Sequence, residues 1–231
     1  MRIFKALPDR AVTISLALIF VIFSRGVSNA QPRIGFGVHI DPAVCWFTSD
    51  IKKVSNEGSR PGFNFGLTFN RYFTENYSFS TGLSLIQAGG RLVGQDTAHL
   101  DFTSSPVNPG IPVVYKIKYL AFPVGLKLQT NQIGYFTYFT DLGIDPKIVV
   151  GGKADVKPLG ISDENARNEL RMFNLSYHIT AGAEYSLGGT TALVLGLSFE
   201  NNFMDVTKDI GDQPGDIISH KILSIRMGVN F

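Results

Sequence analysis

The sequence predicts an all-β protein, an eight-stranded antiparallel up-and-down transmembrane β-barrel preceded by a cleaved signal peptide. Three observations predict it: a leader unlike the rest of the 231-residue chain, eight segments whose apolar residues recur with period two, and connections that alternate between short and long.

The leader carries Arg2, Lys5 and Arg10, then a largely apolar run over residues 11–23, then small and polar residues ending Ser28-Asn29-Ala30. That order is the one of a secretory signal peptide, with cleavage expected after Ala30. The apolar run falls short of the roughly 20 residues a spanning helix needs, and Arg25 closes it. The chain has one cysteine, Cys45, well past the apolar run, so neither a lipid-anchoring thiol nor an internal disulfide is expected. Cys45 reads as a small apolar filler. Residues 31–231 contain no linker or low-complexity tract and read as one barrel domain following the signal peptide at 1–30.

Charge narrows the partners. Four of the 21 basic residues and one of the 19 acids lie in the leader, leaving 17 against 18 and a net charge of −1. A near-neutral domain without basic clusters gives no electrostatic footprint for nucleic acid.

The eight segments run over 33–47, 62–74, 77–93, 113–128, 134–150, 172–187, 191–204 and 217–231. In the second, Phe63, Phe65, Leu67 and Phe69 alternate with Asn64, Gly66, Thr68 and Asn70. The sixth sets Phe173, Leu175, Tyr177, Ile179, Ala181 and Tyr185 against Asn174, Ser176, His178, Thr180, Gly182 and Glu184. The seventh sets Leu193, Leu195, Leu197, Phe199 and Phe203 against Ala192, Val194, Gly196, Ser198, Glu200 and Asn202. One face suits lipid and the other a lumen. A soluble sandwich would show the same period, but its polar face would carry dense Lys and Glu rather than Gly, Ser, Asn and Thr, the small residues a narrow lumen accommodates.

Short turns fall at 75–76, 130–132 and 188–189, rich in the Asn and Gly of tight hairpins, and long connections at 48–61, 94–112, 151–171 and 205–216. If the first strand starts at the periplasm, every short turn is periplasmic and every long loop extracellular, the asymmetry of outer-membrane barrels. Tyr72, Phe73, Tyr77, Phe79, Tyr135, Phe136, Tyr185 and Phe231 gather near the short-turn side, as an interfacial aromatic girdle does. The connection after residue 151 reads as a solvated loop, with Ser162 a candidate cap for a helical turn over 166–170.

Two stretches carry a family resemblance. The closing run Ile222-Leu223-Ser224-Ile225-Arg226-Met227-Gly228-Val229-Asn230-Phe231 resembles the C-terminal signal of outer-membrane barrels, which implies recognition of Phe231 by the barrel-assembly machinery. Tyr119-Leu120-Ala121-Phe122-Pro123-Val124-Gly125-Leu126-Lys127-Leu128 resembles a strand of the PorT-like porin-family barrels of Bacteroidota, small barrels of the OmpX and OmpA plan. That family often carries Glu where this chain has Ala121, so no role of that carboxylate carries over.

The inward parity collects Arg33, His39, Asp41, Lys127, Asp141, Asp145, Lys147, His178, Glu184, Glu200, His220 and Arg226. Of these, Arg33, Lys127, Asp141, Glu184 and Arg226 fall in the periplasmic half and are expected to form a charge network, because an unpaired charge in a narrow lumen is costly. Closure by the last strand against the first would bring Arg226 near Arg33, with Glu184 or Asp141 needed to separate the like charges. No metal-ligand spacing links His39, His99, His220 and Cys45, and the paired glycines lack a phosphate-loop context. No catalytic, cofactor or metal site is expected.

The expected function is that of a non-enzymatic outer-membrane barrel of structural or surface-interaction type, with a side-chain-filled lumen and long extracellular loops. Its expected partners are outer-membrane lipid and lipopolysaccharide, the assembly machinery during insertion, and an extracellular or secretion partner at the loops. The alternative is a transport or secretion component with a wet lumen, the role the PorT-like resemblance implies. A distant third is a lipid-modifying enzyme using Ser176 and His178.

Overall fold

The computed structural model describes residues 33–103, 105–208 and 216–231. The expected signal peptide lies outside the described residues. Among the described residues eleven strands form one antiparallel sheet: β1 (Ile34–Ser49), β2 (Val54–Asn56), β3 (Arg60–Tyr72), β4 (Tyr77–Gly94), β5 (Pro112–Ala121), β6 (Val124–Gln129), β7 (Phe136–Val156), β8 (Ile161–Asn165), β9 (Phe173–Gly188), β10 (Thr191–Asn202) and β11 (Ile218–Asn230).

The sheet closes on itself. β1 pairs β3, β3 pairs β4, and β4 pairs both β5 and β6. Those two pair β7, which continues through β9, β10 and β11 back to β1, where Gly37 faces Asn230 and Ser49 faces Ile218. A closed ring satisfies its backbone groups between strands, the condition for crossing a bilayer with sheet.

Eight segments were expected and eleven strands are observed, for local reasons. The segment 113–128 divides at Phe122-Pro123. Pro123 has no N–H to give to the ladder, its carbonyl accepts from Thr81 Oγ1 at 3.0 Å, and the Phe122 amide donates to the Pro146 carbonyl at 2.9 Å. Within the connection 48–61 lies β2, which pairs only β4. Past residue 150, β7 runs on to Val156, reverses where Gly160 takes φ 68°, and returns as β8. Ser162 sits in β8 and caps nothing; the turn expected over 166–170 is a 3-10 turn, Arg167–Glu169, without a side-chain cap. On the other side of the barrel the β9–β10 hairpin turns through Gly188 and Gly189, at φ 107° and 61°, a conformation glycine adopts without strain.

Facing follows the alternation. Phe63, Phe65, Leu67 and Phe69 on β3 and Leu193, Leu195 and Leu197 on β10 are exposed on the outer wall, while Asn174, Ser176, His178, Thr180 and Glu184 on β9 are buried inside. The interior has two zones. Toward the short turns it is polar and ionisable. Toward the long connections it is an apolar core of Cys45, Phe47, Tyr115, Ile117, Tyr119, Val149, Val156, Leu170 and their neighbours. This second zone takes close fitting: a methyl group on Gly90 would collide with the Phe47 ring.

Candidate functional site

The interior of the polar half is a ladder of charge pairs. Lowest, Lys127 on β6 pairs with Glu184 on β9, whose Oε1 also accepts from Asn230 Nδ2 at 2.6 Å; the Lys127 ammonium lies 4.8 Å from the centre of the Phe139 ring. Above it, Arg226 Nη2 on β11 lies 3.4 Å from Asp41 Oδ2 on β1, which His39 Nδ1 approaches to 2.9 Å and Asn64 Nδ2 to 3.1 Å. Opposite, His178 stands between two carboxylates, Nδ1 2.8 Å from Asp145 Oδ1 and Nε2 3.6 Å from Asp141 Oδ1. Higher again, Lys147 pairs with Glu200, and Ser176 Oγ donates to Glu200 Oε1 at 3.0 Å.

The ladder ends at a seam with the apolar half. There Lys147 Nζ lies 5.3 Å from the Tyr119 ring centre, and Tyr119 Oη meets His220 Nδ1 at 3.2 Å. The His220 ring packs on Phe47 with centroids 4.8 Å apart. Beyond this point the inward parity of β5 is Val113, Tyr115, Ile117, Tyr119 and Ala121, all buried, while Lys116 and Lys118 face outward. A polar-out strand suits water rather than lipid, so the character of the inner and outer rows, not their facing, changes between β5 and the membrane strands.

Four of the five residues expected to form a lumen charge network stand inside the ring: Lys127 with Glu184, Asp141 by His178, and Arg226 by Asp41. Arg33 does not. It precedes β1, is exposed, and its guanidinium lies 5.4 Å from the Tyr72 ring centre. The expected proximity of Arg33 to Arg226 also fails, because the register pairs His39 with Gly228 and leaves Arg33 beyond the end of β11. Asp41, His39, Asp145, Lys147 and Glu200 complete the ladder. Parity had set them on the inner face, but only register shows which of them meet.

Two small cavities, of about 30 and 40 Å³, interrupt the ladder around Asp141 and Arg226. A larger polar vestibule of about 420 Å³ opens at the short-turn end, lined by Tyr72, Gln129, Glu184 and Phe231 among others. The hydroxyl of Ser176 is directed to the carboxylates of Glu200 and Asp145, not to His178, and both His178 nitrogens face carboxylates. The pair has no nucleophile-to-base hydrogen bond, the contact that hydroxyl chemistry requires. Among the described residues no group of three or more His, Cys, Asp or Glu could hold a metal ion.

Residues 27–208 match the family model described as outer membrane protein beta-barrel domain. A comparison with curated proteins finds no match. Among solved structures the fold is similar to Neisserial surface protein A (NspA), with a TM-score of 0.45 and 14% identity over 84% of this chain and 95% of that one. It is also similar to Ail, the attachment invasion locus protein of Yersinia pestis, with a TM-score of 0.43 and 13% identity over 87% and 100% of the two chains. For the outer membrane protein OprG from Pseudomonas aeruginosa the values are 0.42 and 12% over 87% and 98%.

Proposed function

Since the chain belongs to the outer membrane protein β-barrel domain family of the bacterial outer membrane, we propose that it is an eight-stave barrel of structural or surface-interaction type whose interior is sealed. In this reading β5 and β6 form one interrupted stave, β2 and β8 are additions at the long-connection end, and residues 1–30 are removed on export. Working contacts with extracellular partners are made by the long connections. The small outer-membrane plan and the PorT-like strand at residues 119–128 belong to the same proposal, as does recognition of Phe231 by the assembly machinery.

The observation that carries the sealed reading is the apolar core across the long-connection half, where Phe47 is 0%, Ile117 1% and Tyr119 2% exposed. An ion crossing the layer of Phe47, Ile117 and Tyr119 would lose its hydration among apolar side chains. The polar ladder beneath it then serves to hold the staves in register, each of Lys127, Lys147 and Arg226 having a carboxylate beside it. A secretion or transport role with a wet lumen draws support from the vestibule, but its 420 Å³ lies at one end of the ring. Planar-bilayer recording from the purified full-length barrel separates the two: the sealed reading expects no steady conductance, and a steady single-channel current overturns it.

A further inference from the structure

Outside the ring, where β3, β4, β5, β7 and β8 meet, the wall carries a trough of about 900 Å³ with two unlike edges. Phe63 and Val150 are exposed along the edge continuous with the apolar wall, 39% and 46%. Arg60, Lys116, Lys118, Lys153 and Arg167 line it from the other sides. The floor between them is bare at Gly151: Lys116 pairs Lys153, and Gln87 pairs Lys118, which pairs Gly151.

The charge in the trough is not balanced internally. Lys116 Nζ is taken up by Asp155 at 2.6 Å and Asp163 at 2.8 Å, while Lys153 Nζ only reaches Asp163 at 4.0 Å. Lys118 and Arg60 have no carboxylate within ion-pair distance among the described residues. Five cations against these two carboxylates leave a net charge of +3. The Lys118 stem passes over Gly151, with Cδ 3.6 Å from where a methyl group would stand.

We propose that this trough binds the phosphorylated headgroup of an outer-leaflet glycolipid, the phosphate held by Lys118 and Lys153 and the acyl chains lying along Phe63 and Val150. The inference rests on the outer-membrane reading with the long connections outside. A soluble anion would need the cations alone, and a neutral lipid the apolar edge alone; the two edges side by side match an anionic amphiphile. Phosphate accepts charge-assisted hydrogen bonds from ammonium and guanidinium groups, and these strengthen next to an apolar wall that excludes water.

The test is native mass spectrometry of the full-length barrel in detergent. It compares bis-phosphorylated lipid A, the same lipid A with its phosphates removed, and inorganic phosphate. Heat-modifiable migration first reports whether a closed barrel has formed at all; its failure strikes the barrel reading itself, separately from the trough. On a closed barrel the expected result is that phosphorylated lipid A binds the wild type and loses about tenfold in affinity in the Lys118→Gln, Lys153→Gln double variant. The Lys118→Arg, Lys153→Arg variant retains binding, and dephosphorylated lipid A binds the wild type no better than phosphorylated lipid A binds the Gln variant. Equal binding of lipid A by the wild type and the Gln variant, or equal binding with and without the phosphates, overturns the proposal. Displacement of lipid A by an equal concentration of inorganic phosphate overturns the lipid assignment in favour of a free anion.

Discussion

The two halves of the interior are built from opposite materials inside one continuous ring. Toward the short turns the inward positions hold Asp41, Lys127, Asp141, Asp145, Glu184 and Arg226 among serines, threonines and glycines; toward the long connections they hold Phe47, Tyr115, Ile117, Tyr119 and Leu170. The surroundings of each stave set its filling. Where lipid covers the outer wall, the apolar residues are drawn outward and the inside is left to small and polar groups, whose charges must then neutralise one another. Where the wall rises into water, as β5 indicates with Lys116 and Lys118 outside, the apolar residues turn inward and the barrel packs like a soluble protein.

Each half should therefore break in its own way. The largest effect is expected at the Lys147 and Glu200 pair. Glu200→Leu leaves a lysine ammonium that is 2% exposed without its partner, and should cost about 3–5 kcal/mol. The companion Lys147→Met, Glu200→Leu double variant should recover most of that loss, since two apolar residues leave no orphaned charge. Urea midpoints of heat-modifiable migration measure both, and a double variant as unstable as the single would contradict the pairing account. In the apolar half no second substitution can compensate in that way. Leu170→Ala, at a residue 2% exposed, should cost about 2–5 kcal/mol through lost burial and the cavity left behind. A cost below 1 kcal/mol by the same assay would mean that the long-connection core is loosely packed.

The smallest effect is expected outside both halves. Asp163, on the exposed β8, accepts from Lys116 Nζ at 2.8 Å, and that ammonium holds its carboxyl below the usual carboxylate range. Because the folded value lies below the unfolded one of about 3.9, the contact contributes fully above that pH and is lost as pH falls through the folded value. Amide exchange over β8 should accordingly be unchanged between pH 7 and 5, after correction for intrinsic rates, and should accelerate only in more acidic solution. The Asp163→Asn variant should remove that acid-dependent step; an unchanged step would assign it to another group.

Most of the ring was legible in the sequence because its signals are local. Alternation on β3, β9 and β10 gives facing, and the glycine at 188–189 gives a hairpin, without any knowledge of neighbours. What was not legible depends on register. Arg33 has the right parity for the lumen, but parity says nothing of where the wall ends, and the pairing of Gly37 with Asn230 leaves Arg33 beyond that end, at the mouth of the vestibule. Register likewise gives Arg226 to Asp41 rather than to Glu184. The division at Phe122-Pro123 had a visible signal in the proline, which the strong alternation around it concealed. Short polar strands such as β8, Ile161–Asn165, have no apolar period to announce them. The apolar half also left a trace, the row Val113, Tyr115, Ile117 and Tyr119 opposite Lys116 and Lys118, which reads as a water-facing strand once the lysines are taken to point outward.

The division of the interior can be tested directly through its one thiol. Cys45 is the chain's single cysteine and is 0% exposed within the apolar half, whereas Ser186 lines the vestibule at the short-turn end. In the heat-modifiable barrel, Cys45 should resist a water-soluble maleimide until the protein is unfolded, while a Cys45→Ser, Ser186→Cys variant should label readily in the folded state. Labelling of Cys45 in the folded barrel at the rate of the unfolded chain would show water throughout the interior and contradict the sealed half.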